Sequence, residues 1–245
     1  MKRLLILLLL GISVVNAGTI SIAVAANVSY AIEDLKREFN KTHPETKVRV
    51  TLGSSGKLTA QIKHGAPYHI FMSANMKYPQ ALYQEKIAIT EPVVYALGSL
   101  AILSNKKRDL SDGIYILQSE EVSKVAIANP KTAPYGIAAM QAITNVRIEN
   151  DVKSKFVYGE SISQTVSYAV TAADVGIIAK SSLYSSNMSK YKENENWVAV
   201  DTKLYTPIQQ GIVMLKDDKE VKAFYDFILS DDAKKIFKEY GYLLP

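Results

Sequence analysis

Residues 19–40 read Thr19-Ile-Ser-Ile-Ala-Val-Ala25-Ala26-Asn27-Val-Ser29-Tyr-Ala-Ile32-Glu-Asp-Leu35-Lys-Arg-Glu-Phe39-Asn40. The stretch from Thr19 to Ala25 reads as a buried strand. Ile32, Leu35 and Phe39 then recur at helical spacing, which predicts a helix over 28–40. It stops before Thr42-His43-Pro44, because proline cannot continue a helix. A strand that runs straight into a helix is the repeating step of a parallel sheet covered by helices.

The same alternation runs outward along the chain. Lys47–Leu52 and His69–Ser73 read as strands, Gly56–His64 and 76–84 as helices, the latter with a kink at Pro79. Glu91–Tyr95 and Ser99–Leu103 are strands in the middle of the chain. Val125–Ala128, Lys155–Tyr158 and Val175–Ala179 are strands separated by helices at Pro134–Thr144 and Ser161–Val170. Ile208–Leu215 is a last strand, and helices near 218–229 and 231–240 close the chain. The alternation forms two blocks, roughly 19–90 and 125–180, without a sequence repeat between them. The expected fold is α/β and two-lobed, with mostly parallel sheets and a ligand cleft between the lobes. Asn187–Asn196 is polar and reads as a surface loop, with Trp197 beside it as a packed surface aromatic away from the cleft.

Composition narrows the function. Hydrophobic residues are 48% and charged residues 22% of 245, a globular balance that excludes a disordered chain. No cysteine occurs, which excludes disulfides, cysteine-based zinc sites, iron–sulfur clusters, a cysteine nucleophile and a lipid-bearing cysteine anchor. Met1-Lys2-Arg3, the apolar run Leu4–Leu10 and the ending Val15-Asn16-Ala17 read as a secretory signal peptide cleaved after Ala17. No later segment is apolar over the ~20 residues that span a bilayer, so no membrane insertion is expected after cleavage. Residues 1–17 hold Lys2 and Arg3 and no acid. The mature chain therefore keeps 27 basic against 24 acidic side chains, and its net charge falls from +5 to +3. Lys106-Lys107-Arg108, Lys153, Lys155 and Lys234-Lys235 are short and scattered, which reads as a solvated surface, not a nucleic-acid track.

Four strand-to-helix junctions carry the chemistry: Ala25–Ser29, Gly53-Ser54-Ser55-Gly56, Ala133-Pro134-Tyr135-Gly136 and Gly159-Glu160-Ser161-Ile162. Each helix start exposes N–H groups without intrahelical acceptors and carries about half a positive charge. Four such ends sum to about +2, which complements a dianion without any Lys or Arg. Asn27, Ser29 and Ser161 also suit plain helix caps, and Pro134 suits a first helical turn. Two serines between two glycines are more specific. Together the junctions indicate a small-anion binder and do not choose the anion.

The residues that carry a resemblance are Ile22–Asn27, Gly53–Leu58, Gln61–Pro67, His69–Ala74, Pro134–Ile137, Val175–Ile177, Val221–Ile228 and Ile236–Gly241. Over essentially the whole mature chain, the sequence resembles the substrate-binding proteins of bacterial molybdate ABC importers. The resemblance implies a type II periplasmic binding fold, with residues 18–97 and 207–245 in one lobe and 98–206 in the other. It implies a monomer in the periplasm that takes tetrahedral molybdate or tungstate, closes on it and docks on a membrane ABC permease, with no cofactor and no direct protein–metal ligand. Carried over, the ligand-binding residues are Asn27 with Ala26 beside it, Ser55 with Ser54 adjacent, and Tyr135 and Ile162 through backbone N–H. Some members supply a tyrosine hydroxyl where this chain has Ala179.

Other classes fit less well. A serine hydrolase needs Gly-x-Ser-x-Gly with His and Asp, and Gly53-Ser-Ser-Gly56 lacks that spacing; His43, His64 and His69 offer no obvious base. A phosphate-binding P-loop fails at Thr51 and at Leu58. Sulfate or thiosulfate would suit the same fold. Phosphate calls for an acidic acceptor for its proton, and the junctions offer only Glu160. A ferric-ion binder would use paired tyrosines, but among fifteen tyrosines Tyr205, Tyr225, Tyr240 and Tyr242 are scattered, with no adjacent pair.

Overall fold

The computed structural model describes residues 18–245. The leader expected at residues 1–17, with its cleavage point after Ala17, lies outside the described residues. In the first sheet β1 (Thr19–Ala25) lies between β2 (Lys47–Gly53) and β3 (Ile70–Ser73) and pairs in parallel with both. Helices α1 (Ile32–Phe39), α2 (Ser55–Lys63) and α3 (Lys77–Gln84) follow these strands in turn. The chain then runs along β4 (Val93–Gly98) and, after Ser99, along β5 (Leu100–Leu103), which belongs to the second sheet.

The second sheet repeats the plan. Its strand β6 (Val125–Ala128) lies between β7 (Phe156–Gly159) and β8 (Val175–Ala179) and pairs in parallel with both. Helices α4 (Pro134–Asn145) and α5 (Glu149–Val152) link β6 to β7, and α6 (Ile162–Thr171) links β7 to β8. After β9 (Trp197–Ala199) the chain returns to the first sheet as β10 (Ile208–Met214). It ends in α7 (Lys219–Leu229) and α8 (Asp231–Glu239). The strand orders are β2-β1-β3-β10-β4 and β7-β6-β8-β5-β9, the same arrangement built twice from unlike sequences.

The sheets are mixed where mostly parallel ones were expected. Each has two parallel and two antiparallel pairings, because β10 and β4 in one, β5 and β9 in the other, are the strands that carry the chain between lobes. Pro79 sits in the first turn of α3, where it removes no intrahelical bond, so the expected kink has no cause. Gly136 lets α4 close against the end of β6, since a Cβ there would run into the Ala128 carbonyl.

Each lobe has its own core. Ile22, Val24, Leu35, Phe39, Phe224 and Phe237 pack in the first; Leu100, Ile127, Ala139 and Ile177 pack in the second. Trp197 corrects the expectation of a surface aromatic. It is only 8% exposed and packs with Leu103, Ile178 and Met188 on the outer face of the second sheet. The polar loop before it is tied down by Asn196, whose side chain accepts from the Lys192 N–H and whose carbonyl accepts from Ser104. Trp197→Ala is expected to cost about 3–5 kcal/mol. It should lower the urea midpoint without changing the denaturant slope; a loss under about 1 kcal/mol would return Trp197 to the surface class.

Candidate functional site

Parallel register sets the site. Ala25 pairs with Gly53 and Ala128 with Gly159, so in each lobe two strands end at one level and turn together into helices. Where the four turns meet lies a small cavity with about 190 Å³ of space between atoms. The centre of a water-sized sphere can move through only about 10 Å³ of it, far below the ~300–1,000 Å³ of pockets for larger organic ligands. All four turns line it, Ala26 and Asn27 from the first, Ser54 and Ser55 from the second, Tyr135 from the third and Ile162 from the fourth. Ala74 and Pro134 add to the wall, and among the described residues no charged side chain lines it. A wider groove with about 1510 Å³ of space between atoms lies elsewhere, near Arg108. It is open, and Lys107 and Arg108 in it are already paired with Glu195 and Glu121.

Donors face this space with little to satisfy them. Among the described residues the buried Ser54 hydroxyl has no partner. Ser55 is fully buried; its Oγ accepts from the Ala74 N–H at 2.9 Å, which leaves its own proton free to donate. Ser55, Tyr135 and Ile162 lie in the first turns of α2, α4 and α6, where N–H groups have no intrahelical acceptor. Ser161 caps α6 by accepting from the Gln164 N–H at 3.3 Å. Asn27 and Ser29 cap nothing.

The first turn differs from the expected helix start. Residues Ala26–Tyr30 form a 3-10 turn, and α1 begins only at Ile32. The Asn27 carbonyl is taken by the Tyr242 hydroxyl at 2.9 Å and by Ser181 Oγ at 3.4 Å. The Ala31 N–H therefore closes on Val28, three residues back. Three α-helix ends rather than four point at the cavity, lowering the summed charge from about +2 to about +1.5.

Behind the cavity is a polar cluster that sequence reasoning missed. Asn27 Nδ2 donates to Gln210 Oε1 at 2.7 Å and to the Tyr242 hydroxyl at 2.9 Å. Tyr95 donates to the same Gln210 oxygen at 3.0 Å, and Gln210 Nε2 donates to the Tyr135 hydroxyl at 3.2 Å. Asn27 Oδ1 is buried with no partner. One signal for Gln210 exists in the sequence, a lone amide on the apolar face Ile208, Ile212, Met214 of a strand. Nothing local marks Tyr95, Ser181 or Tyr242. Ala179, where a tyrosine donor was noted as absent, is buried at the end of β8.

Contacts between the lobes close over the site. The Gly56 N–H donates to the Thr132 carbonyl at 2.9 Å, and Lys57 pairs with Glu160 at the rim. Both side chains of that pair are about half exposed or more, so it is worth about 0–1 kcal/mol.

Residues 20–243 match the family model described as bacterial extracellular solute-binding protein. The chain is 33% identical over 232 residues to the molybdate-binding protein ModA of Azotobacter vinelandii, covering 93% of this chain and 90% of that one. It is 34% identical to the molybdate-binding protein ModA of Rhodobacter capsulatus, covering 93% and 89%. The solved periplasmic molybdate-binding protein of Azotobacter vinelandii superposes with a TM-score of 0.84 at 28% identity, covering 92% of this chain and 99% of that one.

Three tyrosines around Gln210 stay neutral. Burial pushes the Tyr95 and Tyr135 hydroxyls well above the usual phenol value and Tyr242 up to about 12. An unfolded chain releases these protons near pH 10 while the folded chain keeps them. Their contribution is therefore whole below about pH 10 and is lost as pH rises through the raised values, for Tyr242 at about pH 12. Unfolding free energy should fall by up to ~1.4 kcal/mol per pH unit for each such tyrosine. Urea melts between pH 8 and 11.5 check this, and Tyr242→Phe should show the shallower decline.

Proposed function

The chain belongs to the family of bacterial extracellular solute-binding proteins, and from that premise we propose that it captures molybdate or tungstate between its lobes and hands it to a membrane ABC permease. The observation that carries the proposal is the cavity itself. It is small and uncharged, and it is lined by the unpartnered Ser54 hydroxyl, the Ser55 hydroxyl and three helix starts. Such a lining suits an anion of few atoms that arrives already charged and accepts from every direction. The names of the relatives, molybdate-binding proteins from two bacteria, supply the anion.

Ala26, Asn27, Ser54, Ser55, Tyr135 and Ile162 would form the binding shell. Ser54 and Ser55 donate through hydroxyls; Ser55, Tyr135 and Ile162 donate through backbone N–H at helix starts. Neutral donors on short turns select by distance. Sulfate has the same charge and shape as the metal oxyanions but is smaller, and each donor left at a poor distance costs about 1–3 kcal/mol. The ferric alternative loses ground on donor chemistry. Tyr95, Tyr135 and Tyr242 do gather in space, yet only Tyr135 lines the cavity, and its hydroxyl is engaged by Gln210. We read the protein as a monomeric carrier without turnover, exported to the periplasm. Among the described residues no helix is long and apolar enough to cross a membrane.

Isothermal titration of residues 18–245 checks the reading. Molybdate and tungstate should bind below the micromolar range, and sulfate about a hundredfold or more weaker, as expected if two donors are stretched. Ser55→Ala removes a donor and strands the Ala74 N–H, and should weaken molybdate about 10- to 100-fold. Sulfate binding without either metal oxyanion would keep the fold and overturn the ligand.

A further inference from the structure

Gln210 is a fully buried amide on β10, and the strand carries a register shift between Gln210 and Gly211. A bulge of that kind re-aims a side chain. Here it directs the amide to the junction of the two lobes, where it meets Asn27 and Tyr95 from the first lobe and Tyr135 from the second. Gln210 does not line the cavity; Asn27 does.

As these amides stand, Asn27 spends both N–H protons away from any ligand, on Gln210 and Tyr242, and its oxygen is the end without a partner. An oxygen is the wrong end to offer an anion, since it can only accept. Turning an amide by 180° exchanges its oxygen and nitrogen in place. Asn27 cannot turn alone, because its oxygen would then meet the Gln210 oxygen at 2.7 Å. If both turn, Gln210 Nε2 donates to Asn27 Oδ1 and to Tyr95. Gln210 Oε1 then accepts from Tyr135, and Tyr242 can donate to Asn27 Oδ1, leaving the Asn27 carbonyl to Ser181. Both amides keep their heavy-atom contacts; Tyr242 gives up the Asn27 carbonyl, the Tyr95 hydroxyl changes from donor to acceptor, and the Asn27 NH2 takes the position its unpartnered oxygen held.

We propose that Gln210 is a positioning residue that turns together with Asn27 and so decides whether Asn27 presents an N–H donor to the anion. The inference rests on the oxyanion-binding reading above and adds to it a residue that never touches the ligand. It also gives Gly98 a role. A Cβ there would collide with the Tyr135 hydroxyl and crowd Gln210 Nε2, so only glycine leaves the pair room.

A double-mutant cycle with molybdate tests the proposal on the mature chain, using Gln210→Leu, Asn27→Ala and the two combined. Gln210→Leu should weaken binding about 10- to 100-fold, from one donor misdirected. In the Asn27→Ala background the same change should weaken it less than about twofold, because the two act as a unit. A second measurement needs no variant. On saturating the wild-type protein with molybdate, the side-chain amide signals of both Asn27 and Gln210 should shift in nitrogen–proton correlation spectra. Losses that multiply in the cycle, or movement of the Asn27 signals alone, would overturn it. If the wild-type chain binds no molybdate, the functional reading fails and takes this inference with it. If the wild type binds and the losses multiply, only this inference falls.

Discussion

A parallel strand cannot turn back on its neighbour; it must leave the sheet at the same end and return by a crossover. That constraint acts twice in this chain. β1 and β2 end in register at Ala25 and Gly53, β6 and β7 at Ala128 and Gly159. Each pair therefore releases two turns at one level on one edge of its lobe. Facing the lobes toward each other brings four turns to one point without any residue being placed there individually. The site is a by-product of topology, and the residues at the turns only decide what it holds.

What they hold it with is neutral. A guanidinium in the cavity would attract any anion of any size, since Coulomb attraction falls slowly with distance. Hydroxyls and helix N–H groups act over a few tenths of an ångström. Selection among dianions of equal charge needs the second kind of force. Lys57, two residues past Ser55, is paired with Glu160 of the opposite lobe, so its charge is spent on the lobe–lobe contact. Gly56 and Thr132 add a backbone bond across the same gap. Closure thus uses groups that the cavity does not need.

The turns were legible in the sequence because their signals are local. Gly53-Ser-Ser-Gly56 and Ala133-Pro134-Tyr135 announce a helix start within four residues, and the six residues carried over from the family resemblance all line the cavity. Errors arose where distant groups decide. The first turn is 3-10 because Tyr242, over two hundred residues away, takes the Asn27 carbonyl. Trp197 sits beside a polar run yet is buried, because β9 lays it on the second sheet against Leu103. The sheets are mixed because the strands that carry the chain between lobes reverse direction, which no alternation of strand and helix encodes.

Gln210 shows why the second layer of a site is harder to read than the first. Its neighbours in sequence say only that one amide interrupts an apolar strand face. Its partners come from residues 27, 95 and 135, three separate passages of the chain that meet only after both lobes have formed. Tyr242 joins them from the C-terminal end, past α8. A buried cluster of this kind is costly unless each member finds its partners. Its geometry is therefore set by the complete fold, and the orientation of Asn27 toward the cavity is settled by the return strand and the C-terminus as much as by the turn that bears it.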